Sequence, residues 1–172
     1  MRHLLVAAAL AALLAPGTAG AQQSEVVFSY KAWEVRVVQF DDGSLSCVAQ
    51  VSHGSDSFSV WADSNEAVRL QFYSEAWDFG EGSTADLEVQ IDRRGPWTMT
   101  NAELYLQSVL FDMPDTNDGV RFLTEVMQGN VMRLRNDSGQ DVMAYSLAGS
   151  SASINALIQC VDGLNRSSNP FN

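Results

Sequence analysis

The chain has 172 residues and a formal net charge of −11 at pH 7, from 21 acidic and 10 basic side chains. So acidic a surface repels phosphate backbones and anionic headgroups, which argues against nucleic acid and against membrane-surface binding. The two cysteines lie far apart and His53 is the one histidine beyond the first few residues, so a zinc site has too few ligands.

Arg2 and His3 give a basic start, residues 4–14 are an unbroken run of Leu, Val and Ala, and Pro16-Gly17 breaks it. Ala19-Gly20-Ala21 then has the A-x-A form of a cleavage site, so a secretion signal is predicted over residues 1–21. Its apolar run is too short to span a bilayer, and no later segment reaches the roughly 18 apolar residues a spanning helix needs. Gln22-Gln23 stand where a lipoprotein needs its cysteine. The expected mature chain begins at Gln22 and lies in the periplasm or outside the cell. Taking 21 residues from 172 leaves 151, and losing Arg2 takes the charge from −11 to −12. That length suits one domain of about 100–200 residues. Residues 22–166 are expected to form it, with a flexible polar tail at residues 167–172.

Residues 26–30 open this domain as a first strand. Residues 33–40 alternate, with Trp33, Val35 and Val37 on one face and Glu34, Arg36 and Val38 on the other. Asp41-Asp42-Gly43-Ser44 is a hairpin turn, and residues 45–51 return with Leu45, Cys47, Ala49 and Val51 on the core side. His53-Gly54-Ser55-Asp56 turns again. Residues 58–62 form a short strand whose Phe58, Val60 and Ala62 oppose Ser59 and Trp61. After a turn at Ser64-Asn65-Glu66, residues 68–73 alternate with Val68, Leu70 and Phe72 inward. Evenly spaced short strands of this kind predict an antiparallel meander.

Residues 75–84 read as an irregular loop carrying Trp77 and Phe79. Residues 86–92 are the clearest strand, with Leu87, Val89 and Ile91 inward, and Arg93-Arg94-Gly95-Pro96 breaks it. Residues 97–110 allow two strands around Thr100-Asn101, or one strand and a helical turn. A helix then starts near Thr116 or Asn117, with Asp118 at its positive end and Val120, Leu123, Val126 and Met127 as its core stripe. Gly129-Asn130 stops it. Residues 131–135 and 141–147 are strands around the Asn136-Asp137-Ser138-Gly139 turn. A terminal helix follows, capped by Ser150 or Ser151, with Ile154, Leu157, Ile158 and Val161 as its core stripe. The predicted class is α+β: mainly antiparallel β, a sandwich-like or curved sheet of seven to nine strands, with two short helices in the C-terminal half.

Two cysteines in an exported chain predict a Cys47–Cys160 disulfide. Closing so long a loop stabilises by about 4–5 kcal/mol on the chain-entropy account. For chemistry the sequence offers little. His53 sits in a turn, and Gly149-Ser150-Ser151 lacks the G-x-S-x-G spacing of a nucleophile elbow. Acidic pairs abound without marking a glycosidase pair. The acidic stretch 112–119 has Thr116 where a calcium loop needs Asp or Asn, so it reads as a turn and helix cap. No catalytic residue, metal ligand or cofactor is assigned. Trp61, Trp77, Phe79 and Trp97 are the candidate binding residues: an exposed tryptophan suits a protein partner or a glycan, whereas a buried one is a second apolar cluster.

Several landmarks fall in a familiar order: Trp33-Glu34-Val35 near the mature start, a cysteine in the next strand, and a helix ending over residues 123–129. A closing strand, Ser146-Leu147-Ala148-Gly149-Ser150, then leads into an Ala-containing helix. In this the chain distantly resembles the invasion-associated locus B family of small exported alphaproteobacterial proteins. The resemblance implies a periplasmic, non-enzymatic, β-rich domain at the cell envelope, and carries over no catalytic residue. The function expected is an exported protein-binding or envelope-associated module with another envelope protein as partner. The alternatives are a small-ligand carrier with a cavity inside the sheet, or a hydrolase or hydrolase inhibitor at the envelope.

Overall fold

The computed structural model describes residues 23–65, 67–114 and 116–167. The expected signal over residues 1–21 lies outside them, as do residues 168–172 of the expected tail, whereas its first residue, Ser167, is helical. Strands form where side chains alternate and turn residues intervene. They are β1 (Gln23–Tyr30), β2 (Trp33–Gln39), β3 (Leu45–His53), β4 (Asp56–Asp63), β5 (Val68–Ser74), β6 (Ser83–Ile91), β7 (Trp97–Tyr105) and β8 (Ser108–Asp112). Helix α1 (Thr116–Gln128), strands β9 (Val131–Asn136) and β10 (Asp141–Ser146) and helix α2 (Ser150–Ser167) complete the chain.

The described strands form one sheet in the order β1-β2-β3-β4-β5-β8-β7-β6-β9-β10, with antiparallel pairing throughout. The count is ten, above the seven to nine expected. The excess comes from the stretch after Pro96. It does not turn at Thr100-Asn101: β7 runs through Asn101, which takes a left-handed φ of 57° and donates its N–H to Asp86. The reversal comes later, at Leu106-Gln107, so β7 and β8 are separate strands.

The sheet curls without closing, and β10 packs back over its first half. There Tyr145 meets Phe58 and Phe72, ring centroids 6.0 and 6.2 Å away. Trp33 stands edge-on to Phe58, so four rings make the centre of the core. The two helices pack on one another, and α2 lies over β1 to β4. Cys160 of α2 is bonded to the buried Cys47 of β3, 113 residues away in sequence, with Cα atoms 6.1 Å apart.

Both helical stripes differ from the expectation. On α1 the buried residues are Gly119, Phe122 and Val126, while Val120 is 59% exposed. Residues two apart lie about 200° around a helix, so Phe122 and Val120 cannot both face the core, and the larger ring takes it. On α2, Ile154, Leu157 and Val161 are buried and Ile158 is 49% exposed. Ser150 does not cap its own helix with its hydroxyl. It donates instead to the carbonyl of Val126 at 2.7 Å, stitching α2 to α1. Helix α1 stops where a side chain has no room: a Cβ on Gly129 would lie 2.6 Å from Ile91 Cγ2.

Candidate functional site

Cross-strand register assembles the site. Residues paired across an antiparallel ladder share a face, and successive residues alternate faces. One row on the face away from the aromatic core runs Arg36, Val48, Trp61, Arg69, Asp112 across β2, β3, β4, β5 and β8. The next row is Glu34, Gln50, Ser59, Gln71, Leu110 and, on β7, Glu103. A third holds Ser57, Tyr73, Ser108 and Tyr105. This outer face therefore collects long polar side chains and three aromatic residues.

Side-chain size carves it. Ser57 and Ser59 of β4 are buried, as is Val48 of β3, and all are shorter than Arg36 and Gln50 on one side or Gln71 and Tyr73 on the other. Small floor residues between long walls leave a groove of about 310 Å³. A second groove of about 760 Å³ lies beside Phe40, Arg69, Tyr105 and Asp112. Trp61 and Gln71 line both, so the indole stands between them.

The polar groups here hold one another in place. Trp61 Nε1 donates to Gln71 Oε1 at 2.8 Å, and Gln71 Nε2 donates to Ser108 Oγ at 2.9 Å. Phe40 lies 6.4 Å from Trp61, its ring tilted by 38°. Arg69 forks onto Asp112, Nε to Oδ1 at 2.6 Å and Nη2 to Oδ2 at 2.7 Å. Those bonds hold the Asp112 carboxyl below, and the Arg69 guanidinium above, their ordinary ranges. Arg36 Nη2 donates to Glu34 Oε2 at 2.6 Å. Both guanidinium groups are thus neutralised locally, on a chain that carries −11 overall.

The other three aromatic candidates are elsewhere. Trp77 and Phe79 stand together, centroids 5.3 Å apart, half-buried against the core. Their loop is pinned to the β7–β8 turn by Phe79 N–H to Leu106 O and Leu106 N–H to Gly80 O. Trp97 meets Phe122 of α1 edge-on, donates Nε1 to Glu125 at 3.0 Å, and carries Arg121 over its ring at 4.2 Å. These contacts clamp α1 onto β7. So the four candidates do not converge, and Trp61 alone belongs to the outer face. Its companions Phe40, Gln50, Arg69, Gln71, Tyr105 and Asp112 were not singled out by sequence. The outward alternation of Arg69, Gln71 and Tyr73 is visible there; the register that puts them beside Trp61 is not.

Two further places bear on chemistry. Asp112 is engaged by Arg69, and Asp118 lies 3.3 Å from Arg121, so two carboxylates of the acidic stretch 112–119 have cationic partners. A half-open apolar cleft of about 460 Å³ lies between α1, α2 and the β4–β5 connection, lined by Val68, Met113, Val120, Leu123, Leu157 and Ile158 among others. It is between the helices, not inside the sheet. No helix among the described residues is long and apolar enough to cross a membrane.

Fold and site together define a curled antiparallel sheet that packs two helices and a core on one face and presents a polar–aromatic surface on the other. No family model matches the chain, and no curated protein matches it. Among solved structures, a crystal structure of invasion associated protein B from Bartonella henselae is similar at 14% identity and a TM-score of 0.49, covering 83% of this chain and 99% of that one. The likeness is distant and assigns no residue a role.

Proposed function

We propose that the chain is an exported, envelope-associated binding module, without catalytic activity, that holds another envelope component on the outer face around Trp61. The observation that carries this is the pair of grooves meeting at Trp61. Their side chains are fixed by mutual hydrogen bonds before any partner arrives, so less conformational entropy is lost on binding. Export is supported by the basic-apolar-A-x-A start over residues 1–21 and by the Cys47–Cys160 disulfide, a bond that persists in oxidising compartments. The test is photo-crosslinking in cells, with a reactive side chain placed at Gln50 or Tyr105 in the grooves and at Gln140, in the β9–β10 turn, as control. Crosslinks to a discrete envelope species from the groove positions alone are expected. Equal labelling from all three positions, or none, counts against the proposal.

A second reading, a carrier of a small apolar ligand, draws on one observation, the interhelical cleft of about 460 Å³. That volume lies in the range of small-molecule sites, about 300–1,000 Å³. Displacement of an environment-sensitive fluorophore by fatty acids or sterols, lost in Leu123→Asp, is the outcome that reading requires.

A further inference from the structure

We infer that the occupant of the Trp61 face is a neutral oligosaccharide strand, an assignment that rests on the reading of that face as the binding surface. A sugar ring has apolar C–H patches and a rim of hydroxyls. It is held by aromatic faces on its C–H side and by planar, two-pronged polar groups that pair with adjacent hydroxyls. The face supplies both. Phe40 and Tyr105, 37% and 40% exposed, stand with Trp61 around one groove. Between them lie the Arg69–Asp112 fork and the Gln71 amide. The fork uses Nε and Nη2 of Arg69, so Nη1 keeps donor capacity for a sugar hydroxyl. Each Asp112 oxygen keeps lone-pair capacity beyond the one bond it receives from Arg69.

Charge balance narrows the class. Arg69 is matched by Asp112 and Arg36 by Glu34, while Asp63 in the groove wall and Glu103 in the next row add carboxylates, so the face is net acidic and its directional polar groups carry no surplus cation. A phosphorylated or otherwise anionic ligand finds no unmatched cation among these four groups and meets an acidic chain. Protein hot spots favour a contiguous, fully desolvated apolar centre. Here Phe40 neighbours Trp61, but Tyr105 lies across β5 and β8 from it, with charged and amide groups in the same groove, and β4 contributes serines to the floor. Two grooves sharing one indole also suit an extended chain better than a single ring: one stretch of the strand lies along Gln50, Ser59 and Gln71, the next along Arg69, Tyr105 and Asp112.

The experiment has two arms. In the first, the purified mature chain is applied to an array of neutral oligosaccharides and titrated with β-1,4-linked N-acetylglucosamine oligomers from monomer to hexamer. Wild type, Trp61→Ala, Tyr105→Ala and Ile158→Ser are compared, with thermal melts as a check on folding. Tyr105 is a surface residue of the groove, so its variant keeps the test decisive if Trp61→Ala unfolds. Binding to at least one neutral saccharide series is expected, tightening with chain length, falling about tenfold or more in the groove variants and unchanged in Ile158→Ser. A flat array and flat titrations overturn the assignment, as does binding that the folded groove variants leave intact. In the second arm, isolated envelope is treated with protease or with glycan-degrading enzymes before the chain is added. Retention lost only after glycan digestion supports the saccharide. Retention lost only after proteolysis overturns it while leaving the binding-face reading in place. Retention that ignores Trp61 and Tyr105 removes both.

Discussion

Tyr145 and Trp61 show how differently two aromatic residues are used. Tyr145 is buried between Phe58 and Phe72, and among the described residues its hydroxyl pairs with the Met143 sulfur, at 2.9 Å. Burial, with the charge of Asp56 adding to it, pushes its ionisation far above the ordinary phenol value, so it stays neutral. Tyr145→Ala is expected to lower stability by about 3–5 kcal/mol, as large-to-small changes at packed aromatic sites do. Tyr145→Phe gives up one weak acceptor and is expected to cost about 1 kcal/mol or less. Urea unfolding of the two variants checks the contrast; equal losses would mean that the hydroxyl, not the ring, holds β10 down. Trp61 is the opposite case. Its alternation places it on the face away from Phe58, and that much was legible in the sequence. That Gln71 fixes its ring, and Ser108 fixes Gln71, depends on pairing between strands 10 and 37 residues apart, which local pattern does not encode.

Among the elements, α2 and the α1–β9 turn carry the testable energetics. The Cys47–Cys160 bond, read from two cysteines in a chain expected to be exported, is present and ties α2 to the second hairpin strand. Replacing both cysteines by serine is expected to lower stability by about 4–5 kcal/mol, chiefly by freeing the unfolded chain. Denaturant titration of that variant beside the oxidised protein measures it, and a loss under about 1 kcal/mol would put the tie in question. The α1–β9 turn hangs on Asp92, whose carboxylate accepts the backbone N–H groups of Val131 and Asn130. Those bonds, with Arg94 nearby, hold its carboxyl below the ordinary value. A lowered folded-state value means its contribution is present above the ordinary carboxylate range and is lost as pH falls through the folded value. Asp92→Asn is therefore expected to be less stable at neutral pH and to lose less than wild type on acidification, read by thermal melts across pH 2–7. That both helices exist, and where α1 starts and stops, was legible from caps, glycines and 3.6-residue spacing; α2 runs past Cys160 and through Gly163 to Ser167, further than the sequence suggested. Helix rotation was not: Val120 and Phe122 both fit an apolar stripe, and only packing beneath α1 chooses the ring.

Across the whole molecule, the division of labour follows from one alternation repeated strand after strand. One face of the curled sheet is used up by the core and the helices. The other, over β2 to β5, β8 and the end of β7, stays open and is lined by two ion pairs, amides and four aromatic residues, Phe40, Trp61, Tyr73 and Tyr105. The antiparallel class was readable from turn spacing. The strand order was not, because β8 pairs with β5 across an excursion through β6 and β7. That excursion brings Asp112 to Arg69 and Tyr105 to the second groove, so the same long-range step that hid the topology hid the site. The interhelical cleft is the competing surface, and it lies across α1 and α2, with Ile158 exposed in its wall.

The most direct test separates these two surfaces in one assay: retention of the purified chain from Gln22 onward on isolated envelope, compared among wild type, Trp61→Ala, Tyr105→Ala and Ile158→Ser. If the outer face is the binding face, both groove variants lose retention by about tenfold or more while Ile158→Ser is held like wild type. Groove variants that bind like wild type, with Ile158→Ser released, would contradict it.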